Sequence, residues 1–210
     1  QLILKDHPGH SASQHNIAKI YFHQQNLEEA ERYAQRAVET EPDNYWYSVQ
    51  LRDIYEQRGN FPAAIEVQEK IAAGAEAHPR EAIQLSELYR RNRQDKKALS
   101  ALTDFESNKG NQPAFADFKL DLLIKLGKTN EALETLSFLR QADPEYPKYY
   151  ELEYELLMKE GKEDVARQKL KTLLEDDDDN GLALLQLAEL YEKEGNTTLA
   201  NQYISQAFAN

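Results

Sequence analysis

Apolar residues recur along this chain at helical spacing, in pairs of short blocks separated by a polar break. Between Ser11 and Asn44 the first block sets Ile17, Ile20 and Tyr21 on one face, and the second sets Ala30, Tyr33, Ala34 and Ala37 on one face. Residues three and four apart share a helix face, so each block predicts an amphipathic helix. Ser11 and Gln14 have the spacing of a capping box at the start of the first helix. Pro42 stops the second, since proline cannot continue the backbone ladder. The predicted unit is a helix hairpin.

The unit returns every 34 residues. Ala30 is followed at that stride by Ala64, Ala98, Ala132, Ala166 and Ala200. Such a period marks an array in which each unit packs on its neighbours, with no single central core. A small side chain where two helices cross lets them approach, and an added methylene there overpacks by about 1–3 kcal/mol. The tenth position of each unit is aliphatic (Ile20, Ile54, Leu88, Leu122, Leu156, Leu190), and the eleventh is Tyr21, Tyr55, Tyr89, Leu123, Leu157 or Tyr191. These are the bulky knobs expected against the alanine holes. Glycine suits the left-handed position after a helix, and it marks the breaks Gly59-Asn60, Gly127-Lys128, Gly161-Lys162 and Gly195-Asn196; the third break, Arg93-Gln94, lacks it.

The period divides the chain into repeats over 11–44, 45–78, 79–112, 113–146, 147–180 and 181–210. Residues 1–10 read as the end of an earlier repeat plus a turn, because Pro8 lies one period before Pro42 and Leu2, Ile3 and Leu4 would form a last helical turn. That reading makes the chain a segment of a longer array. Repeats four and five diverge. Their seventh position is Lys119 and Glu153, their eighth is Leu120 and Tyr154, and their sixth is Phe118 and Leu152. The apolar stripe is therefore expected to rotate towards Phe115-Phe118-Leu122 and Tyr149-Leu152-Leu156, with a local distortion over 113–160.

The period and these positions resemble the tetratricopeptide repeat, whose pattern runs tryptophan, leucine-glycine, tyrosine, alanine, aromatic and closing proline. Ile17, Ala18, Tyr21, Ala30, Ala34, Ala37 and Pro42 carry the resemblance in the first repeat, and Leu51, Tyr55, Gly59, Phe61 and Ala64 in the second. It implies an all-α, right-handed superhelical solenoid of antiparallel helix hairpins. It further implies a concave face, lined by the first helix of each hairpin, that binds a peptide or helix of a partner protein. The face positions supply Lys19, Phe22, Trp46, Asp53, Arg80, Glu87, Asp117, Asp121, Glu151 and Glu155 as partner-binding residues. Some family members grip a carboxy-terminal acid with lysines, asparagines and an arginine. Here those places hold His15, Lys19, Gln50, Arg80 and Gln84, so that clamp is rejected.

Composition narrows the partner. The net charge is −12, with residues 1–105 carrying 13 Lys and Arg against 16 Asp and Glu, and residues 106–210 carrying 12 against 21. An acidic chain is repelled by phosphate backbones and anionic membrane surfaces, so nucleic acid and membrane insertion are not expected. There is no cysteine, which fits a cytoplasmic or a periplasmic location equally. Asp176-Asp177-Asp178-Asp179-Asn180-Gly181 imitates the start of a calcium loop, but Leu187 stands where the bidentate glutamate belongs. It reads as an acidic turn. His7, His10, His15 and His23 lack the spacing of converging metal ligands and read as exposed residues. No nucleophile–base pair or phosphate loop is present, so no cofactor and no catalysis are expected. Trp46 is either a binding hot spot or a cover for the seam between the first two repeats. The expected function is a non-catalytic protein-interaction scaffold; the alternative is a structural spacer or a self-association module of a larger protein, any self-association running through the ends of the array.

Overall fold

The computed structural model describes residues 10–74, 77–110, 112–144 and 146–209. The expected helical turn at Leu2–Leu4 lies outside them. Among the described residues there are twelve α-helices and no strand. In chain order they are α1 (Ser11–His23), α2 (Leu27–Thr40), α3 (Tyr45–Gln57), α4 (Phe61–Ala72), α5 (Pro79–Arg91), α6 (Asp95–Lys109), α7 (Ala116–Lys125), α8 (Thr129–Ala142), α9 (Pro147–Lys159), α10 (Glu163–Asp176), α11 (Gly181–Lys193) and α12 (Thr197–Ala207). A 3-10 turn, Pro113–Phe115, precedes α7. The chain forms two compact units, one up to Phe118 and one from Lys119.

One hydrogen bond makes every hairpin. The N–H groups of Asn26, Asn60, Gln94, Lys128, Lys162 and Asn196 donate to the carbonyls of Tyr21, Tyr55, Tyr89, Leu123, Leu157 and Tyr191, at 2.8–2.9 Å. This bond satisfies an orphan carbonyl at the helix end and requires a left-handed residue just before the donor. Gly59, Gly127, Gly161 and Gly195 supply it, with φ between 67° and 77°. In the first and third hairpins Gln25 (φ 61°) and Arg93 (φ 58°) take the same conformation without glycine. Asn26, Asn60 and Asn196 also cap the following helix, their side chains accepting from Glu29, Ala63 and Leu199 N–H groups.

All six ladder alanines are buried, at most 5% exposed. The knobs at position ten are buried from Ile54 to Leu190, but Ile20 is 55% exposed. Ile54 packs among Ala30 and Ala34 of the preceding hairpin. No described element stands in that place for Ile20, so the expected inward knob is open. The expected Ser11–Gln14 box is also corrected. His10 is the cap, its Nδ1 accepting from Ser13 N–H at 3.3 Å, while Ser11 donates to Glu41 at the far end of α2.

The rotated stripe of the divergent repeats forms in part: Phe115, Leu122, Tyr149 and Leu156 are buried as expected. Phe118 and Leu152 are half-buried, whereas Leu120, Leu122, Tyr154 and Leu156 are buried. Position eight stays inward although its side chains are large. At position seven Glu153 is buried too, only 5% exposed, and ion pairs rather than rotation make this tolerable. Arg140 of α8 pairs with it on one side, and Lys169 of α10 on the other at 2.8 Å. Arg140 also lies 4.1 Å from the centre of the Tyr150 ring.

Candidate protein-binding groove

In the first unit α1 and α3 turn four of the expected partner-binding residues to one side. Lys19, Phe22, Trp46 and Asp53 line an open groove of ≈ 360 Å³ together with His15 and Val49. Its floor is apolar, from Phe22, Val49 and Trp46. Trp46 is 66% exposed and meets the Tyr45 ring edge-on at 5.1 Å. The residue that closes the seam between the first two hairpins is its neighbour Tyr47, which is buried and lies 4.8 Å from the His15 ring. Trp46 is therefore a groove residue and not a seam cover.

His15 is half-buried, which corrects the expectation of an exposed histidine. With its nitrogen turned to His15, the Gln50 amide donates to Nδ1 at 2.6 Å and accepts from the Lys19 backbone N–H at 2.9 Å. Burial, and then the Lys19 cation, hold His15 below its ordinary pKa. A neutral ring thus stands beside the apolar floor near neutral pH, which lowers the cost of covering the groove. His23 lines the groove and is exposed, as expected.

Asp53 and Arg80 are tied into a buried polar chain. Arg52 Nε donates to Asp53 at 2.9 Å and its Nη1 donates to Gln68 at 2.8 Å. Gln68, fully buried, donates to the Glu81 carboxylate at 3.1 Å and to the Glu81 carbonyl at 3.0 Å. Glu81 also accepts from Arg80 Nε at 2.8 Å and from the Tyr45 hydroxyl at 2.9 Å. Burial alone would raise the Glu81 pKa, but the hydrogen bonds from Arg80, Gln68 and Tyr45 outweigh it and hold the carboxyl low. This chain fixes two residues of the groove face on α3 and α5. Arg52 stands at position eight, where the pattern is small, and periodicity alone does not connect it with Gln68 and Glu81. The signal was available: all three are polar residues at positions where other repeats carry buried small or apolar ones, such as Ala18, Ala34 and Phe115.

The remaining expected site residues do not join this groove. Glu87 on α5 and Asp117 on α7 are exposed in the first unit. Asp121, Glu151 and Glu155 belong to the second unit, where Asp121 and Glu155 are exposed and Glu151 pairs with Lys148 at 3.6 Å. Among the described residues no group of three or more His, Asp or Glu side chains could hold a metal ion, and no helix is long and apolar enough to cross a membrane.

Solved structures with the same fold are distant in sequence. A tetratricopeptide repeat protein from Parabacteroides merdae is 16% identical with a TM-score of 0.59, over 95% of this chain and 79% of that one. A chain in the structure of Naa15/Naa10 bound to HypK-THB is 16% identical with a TM-score of 0.70, over 97% of this chain and 32% of that one. YrrB, described as a tetratricopeptide repeat protein with an unusual peptide-binding site, is 14% identical with a TM-score of 0.51, over 99% and 89%. No curated protein matches the chain. The family profile described as Tetratricopeptide repeat matches residues 11–44. The hairpin that carries Lys19 and Phe22 thus matches a tetratricopeptide repeat, and the solved structures share the fold of the chain around it.

Proposed function

We propose that this protein is a non-catalytic interaction scaffold whose α1–α3 groove receives a peptide or helix of a partner protein. The observation that carries this reading is Trp46. A tryptophan left two-thirds exposed beside Phe22 and Val49 is apolar surface that no other described residue covers. Aromatic anchors in a pocket dominate the energetics of protein interfaces. Lys19 and Asp53 at the rim supply one charge of each sign, which suits register more than affinity. YrrB, whose printed description names a peptide-binding site, adds support by analogy of fold.

Trp46 is the chain's single tryptophan, so its emission reads this groove alone. The test is a peptide array probed with the wild-type chain and with Trp46→Ala and Phe22→Ala variants. Peptides retained by the wild type should be lost by both variants, and should shift Trp46 emission to shorter wavelength. Peptides held equally by all three proteins would remove the groove from the account.

Self-association has one observation in its favour. Helix α12 carries no charged residue in a chain that is 30% charged, and it leaves Ile204 and, just beyond it, Phe208 exposed. A molecular mass that stays monomeric as concentration rises in sedimentation equilibrium would discard that reading.

A further inference from the structure

The register that makes the α1–α3 groove recurs in the second unit with other residues in it. In the first unit the groove is lined by positions five, nine and twelve of one hairpin (His15, Lys19, Phe22) and by positions two, five and nine of the next (Trp46, Val49, Asp53). On α9 and α11 the same positions hold Glu151, Glu155 and Met158, then Leu182, Leu185 and Glu189. The two helices lie side by side, and the Tyr154 hydroxyl on α9 donates to Glu189 on α11 at 3.1 Å. Leu185 is 44% exposed, Leu182 is half-buried, and Met158 is half-buried against the core of this unit. An apolar strip therefore runs among three carboxylates. Lys159, the last residue of α9, bounds it.

We propose that this α9–α11 face binds a lysine- or arginine-rich segment of a partner polypeptide that carries an apolar anchor. Charge complementarity selects the occupant. Glu155 has no partner among the described residues. Glu151 and Glu189 meet only lysines of their own helices, Lys148 at 3.6 Å and Lys193 at 3.7 Å, in pairs that are exposed and therefore weak. Burial, and then the charge on Glu189, push the Tyr154 pKa up, so its hydroxyl stays a donor and holds that carboxylate in place. The carboxylates do not converge on a point: among the described residues no three His, Asp or Glu side chains could hold a metal ion. Cations spaced along a chain suit them instead. The surrounding field has the same sign, since residues 106–210 carry 12 Lys and Arg against 21 Asp and Glu, and such a field speeds the approach of a basic partner.

A second observation, independent of the carboxylates, points to a guest rich in donors. Gln186 on α11 is only 9% exposed, and its Oε1 has no hydrogen-bond partner among the described residues. It holds position six, the place of Gln50 in the first unit. There the amide is satisfied across the seam by His15 and by the Lys19 backbone N–H, at positions five and nine of the facing helix. In the second unit those two positions are Glu151 and Glu155. A buried acceptor without a donor is costly, and an N–H group brought to this seam by a guest satisfies it. The face is separate from the α1–α3 groove and does not depend on it.

The test is an NMR titration of the full chain with acetyl-Lys-Leu-Ala-Lys-Leu-Ala-Lys-amide. The controls are the same peptide with serine for each leucine, the same peptide with glutamate for each lysine, and spermine as a free polycation. The lysyl-leucyl peptide should shift the amides of α9 and α11 saturably, and less tightly as salt rises. The serine peptide should bind about tenfold more weakly, the order expected for one buried leucine, and the glutamate peptide should not bind. Glu155→Lys and Leu185→Ser, both at exposed positions and so compatible with the fold, should each weaken binding about tenfold, whereas Trp46→Ala should leave it unchanged. Absence of saturation, or unchanged binding in both α9 and α11 variants, overturns the proposal. So does equal affinity for the serine peptide or for spermine, which reduces the face to an acidic surface. Shifts confined to α1 and α3 and lost in Trp46→Ala overturn it as well, because they put the basic segment in the other groove.

Discussion

Each of the two units places charge in a seam that the repeat pattern reserves for apolar or small side chains, and each does so differently. In the first unit Arg52, Gln68 and Glu81 form a relay across three helices, and every buried polar group in it has a partner. The relay surfaces at Asp53 and Arg80, so it also positions residues of the groove face. In the second unit a single buried carboxylate, Glu153, sits between two cations that remain partly exposed. That cluster lines only a small recess of ≈ 20 Å³ and ties α8, α9 and α10 together. The lesson is that an array tolerates a polar residue at a seam when the neighbouring helices bring the matching groups. The tolerance lies in the pair and not in the position.

This comparison can be broken most directly by stranding Glu153. The double substitution Arg140→Leu with Lys169→Leu leaves a buried carboxylate without a counter-charge and should cost about 3–5 kcal/mol. Glu153→Leu leaves two cations that can turn to water, and should cost less than about 1 kcal/mol. Urea denaturation of both variants measures the asymmetry. Equal losses would mean that the ion pairs do not hold the seam.

The relay of the first unit should be next in size. Gln68→Leu removes a shared partner from Arg52 and Glu81 and should cost about 1–3 kcal/mol, since the groups left behind stay buried. Arg52→Ala, which restores the small residue of position eight but leaves Gln68 unmatched on one side, should fall below it. A larger loss for Arg52→Ala in the same urea series would contradict the relay.

The pH dependence follows from Glu81. Its folded carboxyl titrates below the ordinary glutamate range, so the unfolded chain takes up a proton first as pH falls. The contribution is complete above the unfolded value and is lost as pH drops through it towards the folded value. Glu41, held low by Ser11 and then by Asn44, has the same sign. Thermal melts between neutral pH and the acid limb should show a shallower decline for Glu81→Gln than for the wild type. Parallel curves would remove Glu81 from the acid response.

The smallest effect belongs to the turns. Arg93 takes a left-handed conformation that costs a side-chain-bearing residue about 1 kcal/mol. Arg93→Gly should recover part of that and raise Tm slightly. A lower Tm would show that the Arg93 side chain contributes more than its backbone costs.

Much of this molecule can be read directly from its residues. A 34-residue metre of alanines implies close helix crossings wherever it falls, because only a small side chain lets two backbones approach. Positive φ after the first helix of each hairpin follows from the glycines at four of the six turns. The aromatic run at Tyr45–Tyr47 marks a surface worth examining, but periodicity does not say which of its three rings is buried. Only the tertiary structure decided that Tyr47 closes the seam and Trp46 stays open. It also decided that Leu120 and Tyr154 stay inward in the divergent repeats beside the partly formed stripe, and that Glu153, which hydrophobicity alone treats as an error, is matched by Arg140 and Lys169 from the preceding and following helices. Local spacing determines which side of a helix faces inward. What each inward or outward residue meets depends on partners from other hairpins, and that information is not local.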